Sequence, residues 1–129
     1  MAKRIIDSYQ TIQRNTASPG QRVIMVYNAI VKNLNIASEA FGQADPQRFE
    51  TINNSIQLAD KLILELQLAL DRERGGEVAK NLSDLYSFWR EHLSGANAEK
   101  NPKKIDEVLK MAQELTNSWV EAEKQTRKS

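Results

Sequence analysis

The chain has 129 residues, a length typical of one domain, with 40% hydrophobic residues, 27% charged residues and a formal net charge of +1. It contains no cysteine, which excludes disulfides, thiolate nucleophiles and cysteine-held metals, and its near-neutral charge gives no general attraction to nucleic acid. No apolar run approaches the ~20 residues of a membrane span or forms a signal peptide, so we expect a cytoplasmic protein without membrane insertion.

Residues 1–16 are predicted to form a short leader, helical or extended, with apolar residues at helical spacing. The members of this stripe are Ile5, Ile6, Tyr9 and Ile12. A segment of this length is marginal as a free helix, so the rest of the protein must cover the stripe. Two interpretations follow: the leader is a displaceable lid over an apolar groove, or it is a permanent fifth helix that seals one end of the core.

Four helices are predicted after the leader, over residues 18–42, 45–72, 76–94 and 101–126. The first begins at Ser18, a good N-cap residue, and continues with Pro19, which suits the first helical position. Asp45 is the expected cap of the second helix. Gly75 and Gly76 are expected to separate the second helix from the third, and the segment SGANAEKNP is expected to end the third.

Within each predicted helix the apolar residues recur three or four positions apart, which buries one face of a helix against its neighbours. No alternation typical of a strand competes with this pattern. Four helices with short connections pack as an antiparallel up-down-up-down bundle. The predicted fold class is therefore all-α, with one helical-bundle domain over residues 1–129.

The first two helices carry more apolar residues than one buried face requires. At about 100° of rotation per residue, Leu62 and Leu64 fall on opposite sides of the core face of the second helix, and Leu68 lies farther round. Ile24 and Val31 flank one edge of the first helix. The excess also includes Met25, Ile36 and Leu58. Scattered exposed leucines are ordinary, but the whole set predicts a continuous outer groove that would suit a partner helix.

The sequence offers little support for catalysis or for a bound metal. His92 is the only histidine, and the adjacent Glu91 points away from it, so we expect no metal, no cofactor and no enzyme activity. One alternative is a histidine phosphotransfer bundle that uses His92, although Gly95 is expected to end the helix directly after it. A further alternative is a bundle whose apolar excess serves only self-association.

Two segments resemble the flagellin-specific export chaperones of the FliS family. The first, YQTIQRNTASPGQRVIMVYNAI (residues 9–30), is similar to the leader tyrosine of the family and to its Ala-Ser-Pro step into a helix. The second, ILELQLALDRERGGEVAKNLSDLYSFW (residues 63–89), is similar to the Gly-Gly-Glu turn of the family and to the runs beside it. Arg22, Asn28 and Ala29 depart from the family pattern in the first helix.

The resemblance implies a chaperone that binds the disordered C-terminal segment of flagellin, prevents premature polymerisation and delivers the subunit for secretion. It also implies contact with the flagellar export apparatus, and a leader that covers part of the binding surface in the free protein. The expected state is a monomer or a weak homodimer. The expected partner-binding residues are Ile5, Ile6, Tyr9, Ile12, Ile24, Val31, Leu62, Leu64 and Leu68.

Overall fold

The computed structural model describes residues 19–128, which form four α-helices. The helices are α1 (Pro19–Phe41), α2 (Arg48–Leu68), α3 (Arg72–Glu99) and α4 (Pro102–Lys128). Each helix packs against two others, in the cyclic order α1, α2, α3, α4. Short connections make successive helices antiparallel, so the predicted all-α four-helix bundle is confirmed. Ser18 and the leader stripe of Ile5, Ile6, Tyr9 and Ile12 lie outside the described residues.

Four aromatic side chains occupy the centre of the bundle, and each is at most 1% exposed. The ring of Tyr27 on α1 lies 6.3 Å from that of Trp89 on α3 and 6.1 Å from that of Trp119 on α4. Tyr86 of α3 completes the group, with its ring 6.4 Å from that of Tyr27. Such large side chains bury more apolar area than any other residue type, so this cluster joins three helices at one point.

The hydroxyl groups of the two buried tyrosines share a hydrogen bond. The Tyr27 and Tyr86 oxygens are 2.6 Å apart, in a hydrogen bond between α1 and α3. Burial is the main cause that raises the pKa of Tyr27 well above its usual value, and the neighbouring Tyr86 hydroxyl adds to the effect.

The boundary between α2 and α3 lies before the two glycines. Asp71 caps α3, since its carboxylate accepts a hydrogen bond from the Arg74 N–H at 3.1 Å, and helical structure therefore begins at Arg72. Gly76 lies inside α3 as a kink, with φ 51° and ψ −125°. This positive φ is a conformation that a side chain would strain, which explains glycine at this position.

The third helix continues past Gly95 to Glu99, whereas the sequence pattern predicted an end at residue 94. Leu93 and Ala96 are both fully buried, so the core face extends beyond the glycine. This packing outweighs the ~1 kcal/mol that glycine costs in a helix interior. His92 consequently lies inside a helix and not at a helix end.

The second helix begins at Arg48, later than the predicted start at residue 45. The Asp45 carboxylate accepts a hydrogen bond from the Gln47 N–H at 2.9 Å, and its carbonyl accepts one from the Arg48 N–H at 3.0 Å. Asp45 therefore forms a turn that leads into α2, as aspartate commonly does. None of the helices within residues 19–128 is long and apolar enough to cross a membrane.

The buried Tyr27 hydroxyl makes stability depend on alkaline pH. Above a pH of about 10 an unfolded tyrosine ionises, whereas Tyr27 in the folded protein keeps its proton. The unfolded state then binds fewer protons, so the free energy of unfolding should fall as pH rises, by up to about 1.4 kcal/mol per pH unit for this group.

Urea titrations between neutral pH and about pH 11 measure this dependence. Tyr27→Phe should be less stable at neutral pH, because the buried hydrogen bond between Tyr27 and Tyr86 is lost, but its stability should fall less steeply above the tyrosine pKa. Equal slopes for the variant and the wild type would contradict the role given to Tyr27.

Candidate partner-binding surface

Several large apolar side chains of the described residues lie outside the core. Those that are exposed are Met25, Ile36, Phe49, Leu58, Leu68 and Phe88. Leu68 is 76% exposed and Leu58 is 51% exposed, so neither contributes much to the buried interior. Apolar residues in such positions are available to a partner.

On α1, the predicted residues Ile24 and Val31 are half-buried and lie beside α4. They are spaced seven residues apart, and Ser38 follows after another seven, so the three share one edge of the helix. The Ser38 hydroxyl donates a hydrogen bond to the Asp106 carboxylate on α4 at 2.6 Å. This edge of α1 therefore borders α4.

On α2, the predicted residues Leu64 and Leu68 lie on the edge beside α3. They follow Asp60 at intervals of one helical turn. The Asp60 carboxylate accepts a hydrogen bond from Arg90 Nε on α3 at 2.9 Å. Leu64 is half-buried, and Leu68 is the more exposed of the two.

The predicted residue Leu62 lies on the opposite edge of α2, beside α1. Along this edge Glu65, Leu66 and Ala69 meet Arg22 and Val26 of α1 around a cleft of about 180 Å³. The exposed Leu58 precedes Leu62 by one turn, so it continues the same edge.

We name the apolar residues of this edge the α1–α2 surface. They follow each other at helical spacing on each of the two helices. The members are Val26, Ala29, Ile36, Leu58, Leu62 and Ala69.

The structure therefore divides the predicted groove residues among three edges of the bundle. Ile24 and Val31 lie toward α4, Leu62 lies toward α1, and the pair Leu64 and Leu68 lies toward α3. They do not line one groove, because Leu62 and Leu64 are separated by about 200° around α2. Helical spacing predicts which residues share one side of a helix, but it does not predict which other helix packs against that side.

His92 lies between α3 and α4 and is engaged on both sides. Its Nε2 atom is 3.3 Å from Glu107 Oε2, and its ring stacks on Phe88 with the centroids 5.0 Å apart. A carboxylate this close to Nε2 would repel an incoming phosphoryl group, so the arrangement does not favour phosphotransfer. Residues 19–128 contain no group of three or more acidic or histidine residues placed to hold a metal ion.

The described residues form an all-α four-helix bundle with apolar side chains outside its core, and comparisons with known proteins identify its family. The chain belongs to the FliS family, since the family model described as flagellar protein FliS matches residues 1–126. The resemblance seen in the sequence is thereby confirmed.

Relatives from distant bacteria match along most of their length. The flagellar secretion chaperone FliS of Campylobacter jejuni is 32% identical over 115 residues, which cover 89% of this chain and 88% of that protein. FliS of Vibrio cholerae is 29% identical over 108 residues, which cover 83% of this chain and 76% of that protein. FliS of Bacillus subtilis is 27% identical over 121 residues, which cover 94% and 87%. These relatives are named as chaperones and not as enzymes.

Two leucines of α2 test whether the outer surface is needed for folding. Leu66→Ala should lower the free energy of unfolding by about 2–5 kcal/mol, because this side chain is only 2% exposed. Leu68→Ala should change it by less than about 0.5 kcal/mol, because that side chain is 76% exposed. Urea titrations compare the two variants, and a similar loss for both would show that Leu68 belongs to the structural core.

Proposed function

We propose that this protein is a cytoplasmic chaperone that binds the disordered C-terminal segment of flagellin. In this role it prevents premature polymerisation of flagellin and delivers the subunit for flagellar secretion. Membership of the FliS family supports the proposal. The structural observation that carries it is the apolar surface outside the core, above all Leu58 and Leu68, which are 51% and 76% exposed.

Binding a disordered segment requires a large apolar contact area. Ordering the segment costs about 2–5 kcal/mol or more, and burial of apolar area returns only about 25 cal/mol per Å². The α1–α2 surface offers one such contact, where an amphipathic client helix can lie along Ile36, Leu58 and Leu62. The cleft beside Val26 and Ala69 can accept an apolar side chain at the end of this contact.

The remaining predicted residues fit a client that wraps around the bundle. Ile24 and Val31 lie on the edge between α1 and α4, and the pair Leu64 and Leu68 lies on the edge between α2 and α3. A segment that starts disordered can follow a curved path over several edges, which a rigid helix cannot do. We therefore retain these residues as contacts of different parts of the same client.

The leader has a role of its own in the proposed function, as a cover for apolar surface in the free protein. Its stripe of Ile5, Ile6, Tyr9 and Ile12 has the composition of a segment that covers apolar surface in the free protein. Displacement of the leader would weaken the net affinity for the client, and this would assist release at the export apparatus.

A leucine on the α1–α2 surface should be important for binding and unimportant for folding. Leu58→Ser should weaken the binding of a flagellin C-terminal peptide about tenfold in titration calorimetry, because an apolar contact of the client is lost. The matched control is Phe88→Ser, which removes a side chain that is 45% exposed on the opposite side of the bundle. Wild-type affinity in Leu58→Ser, or an equal loss in Phe88→Ser, would contradict the α1–α2 surface as the client site.

Removal of residues 1–16 tests the leader. If the leader is a displaceable lid, the shortened chain should keep its free energy of unfolding, take up more of a hydrophobic dye and bind the flagellin peptide more tightly. If it is a fixed fifth helix, the same deletion should destabilise the bundle. Unchanged dye uptake and unchanged affinity would show that the leader has no part in client binding.

A further inference from the structure

A second apolar surface faces outward between α3 and α4. Phe88 is 45% exposed, and its ring lies nearly parallel to that of His92, at an interplanar angle of 25°. Together with Glu91, Gly95 and Lys104, these rings line a cleft of about 400 Å³. A Cβ atom built on Gly95 would lie 3.0 Å from Lys104 Nζ, so a side chain at this position would narrow the cleft.

The contacts across this pair of helices set their register. Gly95 faces Lys104, and one turn earlier on α3 His92 meets Glu107. Because the helices are antiparallel, the next turn places Phe88 opposite the half-buried Met111, and the turn after that brings in Leu85.

The half-buried Leu85 and Met111 therefore lie on the line of the cleft, beyond its own lining residues. We name the cleft together with these two residues the α3–α4 groove. Its residues are Leu85, Phe88, His92, Gly95, Lys104 and Met111.

Exposed carboxylates follow both sides of the α3–α4 groove. Asp84 and Glu91 are seven residues apart on α3, and Glu107 and Glu114 are seven residues apart on α4, so each pair forms a line beside the groove. Lys104 within the groove forms an ion pair with Glu99, at 3.1 Å. On α4 the exposed Lys110 lies between Glu107 and Glu114, so the margins of the groove carry more carboxylates than ammonium groups.

We propose that the α3–α4 groove is a second docking surface, which binds an amphipathic helix of another protein with basic residues beside its apolar face. Apolar residues of the helix pack against Phe88 and Met111, and its lysines or arginines face the carboxylates on both margins. The groove lies on the side of the bundle opposite the α1–α2 surface, because the helices follow the cyclic order α1 to α4. Both surfaces can therefore be occupied at the same time.

The probe for this proposal is a synthetic amphipathic helix with leucines on one face and lysines beside them. Its control is the same peptide with a glutamate in place of each lysine. In titration calorimetry with the full chain, the lysine peptide should bind, its affinity should fall as salt is added, and the glutamate peptide should bind at least about tenfold more weakly. Equal binding of the two peptides would overturn the proposal.

Two pairs of variants locate the binding. Phe88→Ser should weaken the affinity for the lysine peptide about tenfold, whereas Leu58→Ser on the opposite side should leave this affinity unchanged. Glu91→Lys should weaken the affinity for the lysine peptide and make this affinity less dependent on salt. Glu50→Lys, at the start of α2, should change neither property. Circular dichroism verifies that each variant is folded. If Phe88→Ser and Glu91→Lys bind as the wild type does, the groove is not the site.

Competition then tests whether the two surfaces are separate. With a flagellin C-terminal peptide present at saturation, the affinity for the lysine peptide should stay within about threefold of its value alone, which corresponds to about 0.7 kcal/mol or less of coupling. Displacement of the lysine peptide by the flagellin peptide would assign the α3–α4 groove to the client site and overturn the proposal of a second docking surface.

Discussion

The bundle depends on the packing of Tyr27, Tyr86, Trp89 and Trp119 at its centre, where the hydroxyls of Tyr27 and Tyr86 share a hydrogen bond. This bond crosses the centre of the structure from α1 to α3, at an oxygen separation of 2.6 Å. Around it Trp89 and Trp119 fill the interior from α3 and α4, and both are almost fully buried. These buried aromatic side chains form the interior, whereas residues such as Leu58 and Leu68 lie outside it. The proposed binding of a client rests on this distinction between the apolar residues of the core and those outside it.

The edges of the bundle differ in chemistry. Between α2 and α3 the helices are linked by polar side chains, including the pair of Asp60 and Arg90 and the amides of Asn53 and Asn97, which are 2.8 Å apart. The side chains of the ion pair are about a third exposed, so the pair contributes little to stability. The α1–α2 surface exposes isoleucine and leucine, at Ile36 and Leu58. The α3–α4 groove has an apolar floor between carboxylates. Three edges of different composition allow contacts with chains of different composition.

The sequence predicted the four helices and their inner faces well, because helical periodicity is a local property that each segment shows by itself. No sequence pattern indicated that the hydroxyl of Tyr27 would meet that of Tyr86. Helix ends were harder to predict where packing overrides local preference. Gly95 remains helical because Leu93 and Ala96 on both sides of it are buried, and Gly76 forms a kink within α3.

The outer surface was predictable in composition but not in arrangement. The excess of apolar residues on α1 and α2 could be read from the sequence, and Leu58 and Leu68 are indeed exposed. Which edge each residue occupies depends on the direction in which the helices wind around the bundle, and periodicity contains no information on this point. For this reason Val31 and Leu62, predicted in one groove, lie on different edges. The α3–α4 groove was not predicted from the sequence, because Phe88 and Met111 are brought together only by the register of two helices.

The change in heat capacity on binding is the sharpest test of whether the client lies on apolar surface, since it reports how much apolar surface leaves water. Titration calorimetry of a flagellin C-terminal segment into the full chain, repeated over a range of temperatures, yields this quantity. If apolar surface outside the core receives the client, the enthalpy of binding should become steadily more negative as temperature rises, which is a large negative heat-capacity change. Tight binding with an enthalpy that does not vary with temperature would contradict the account.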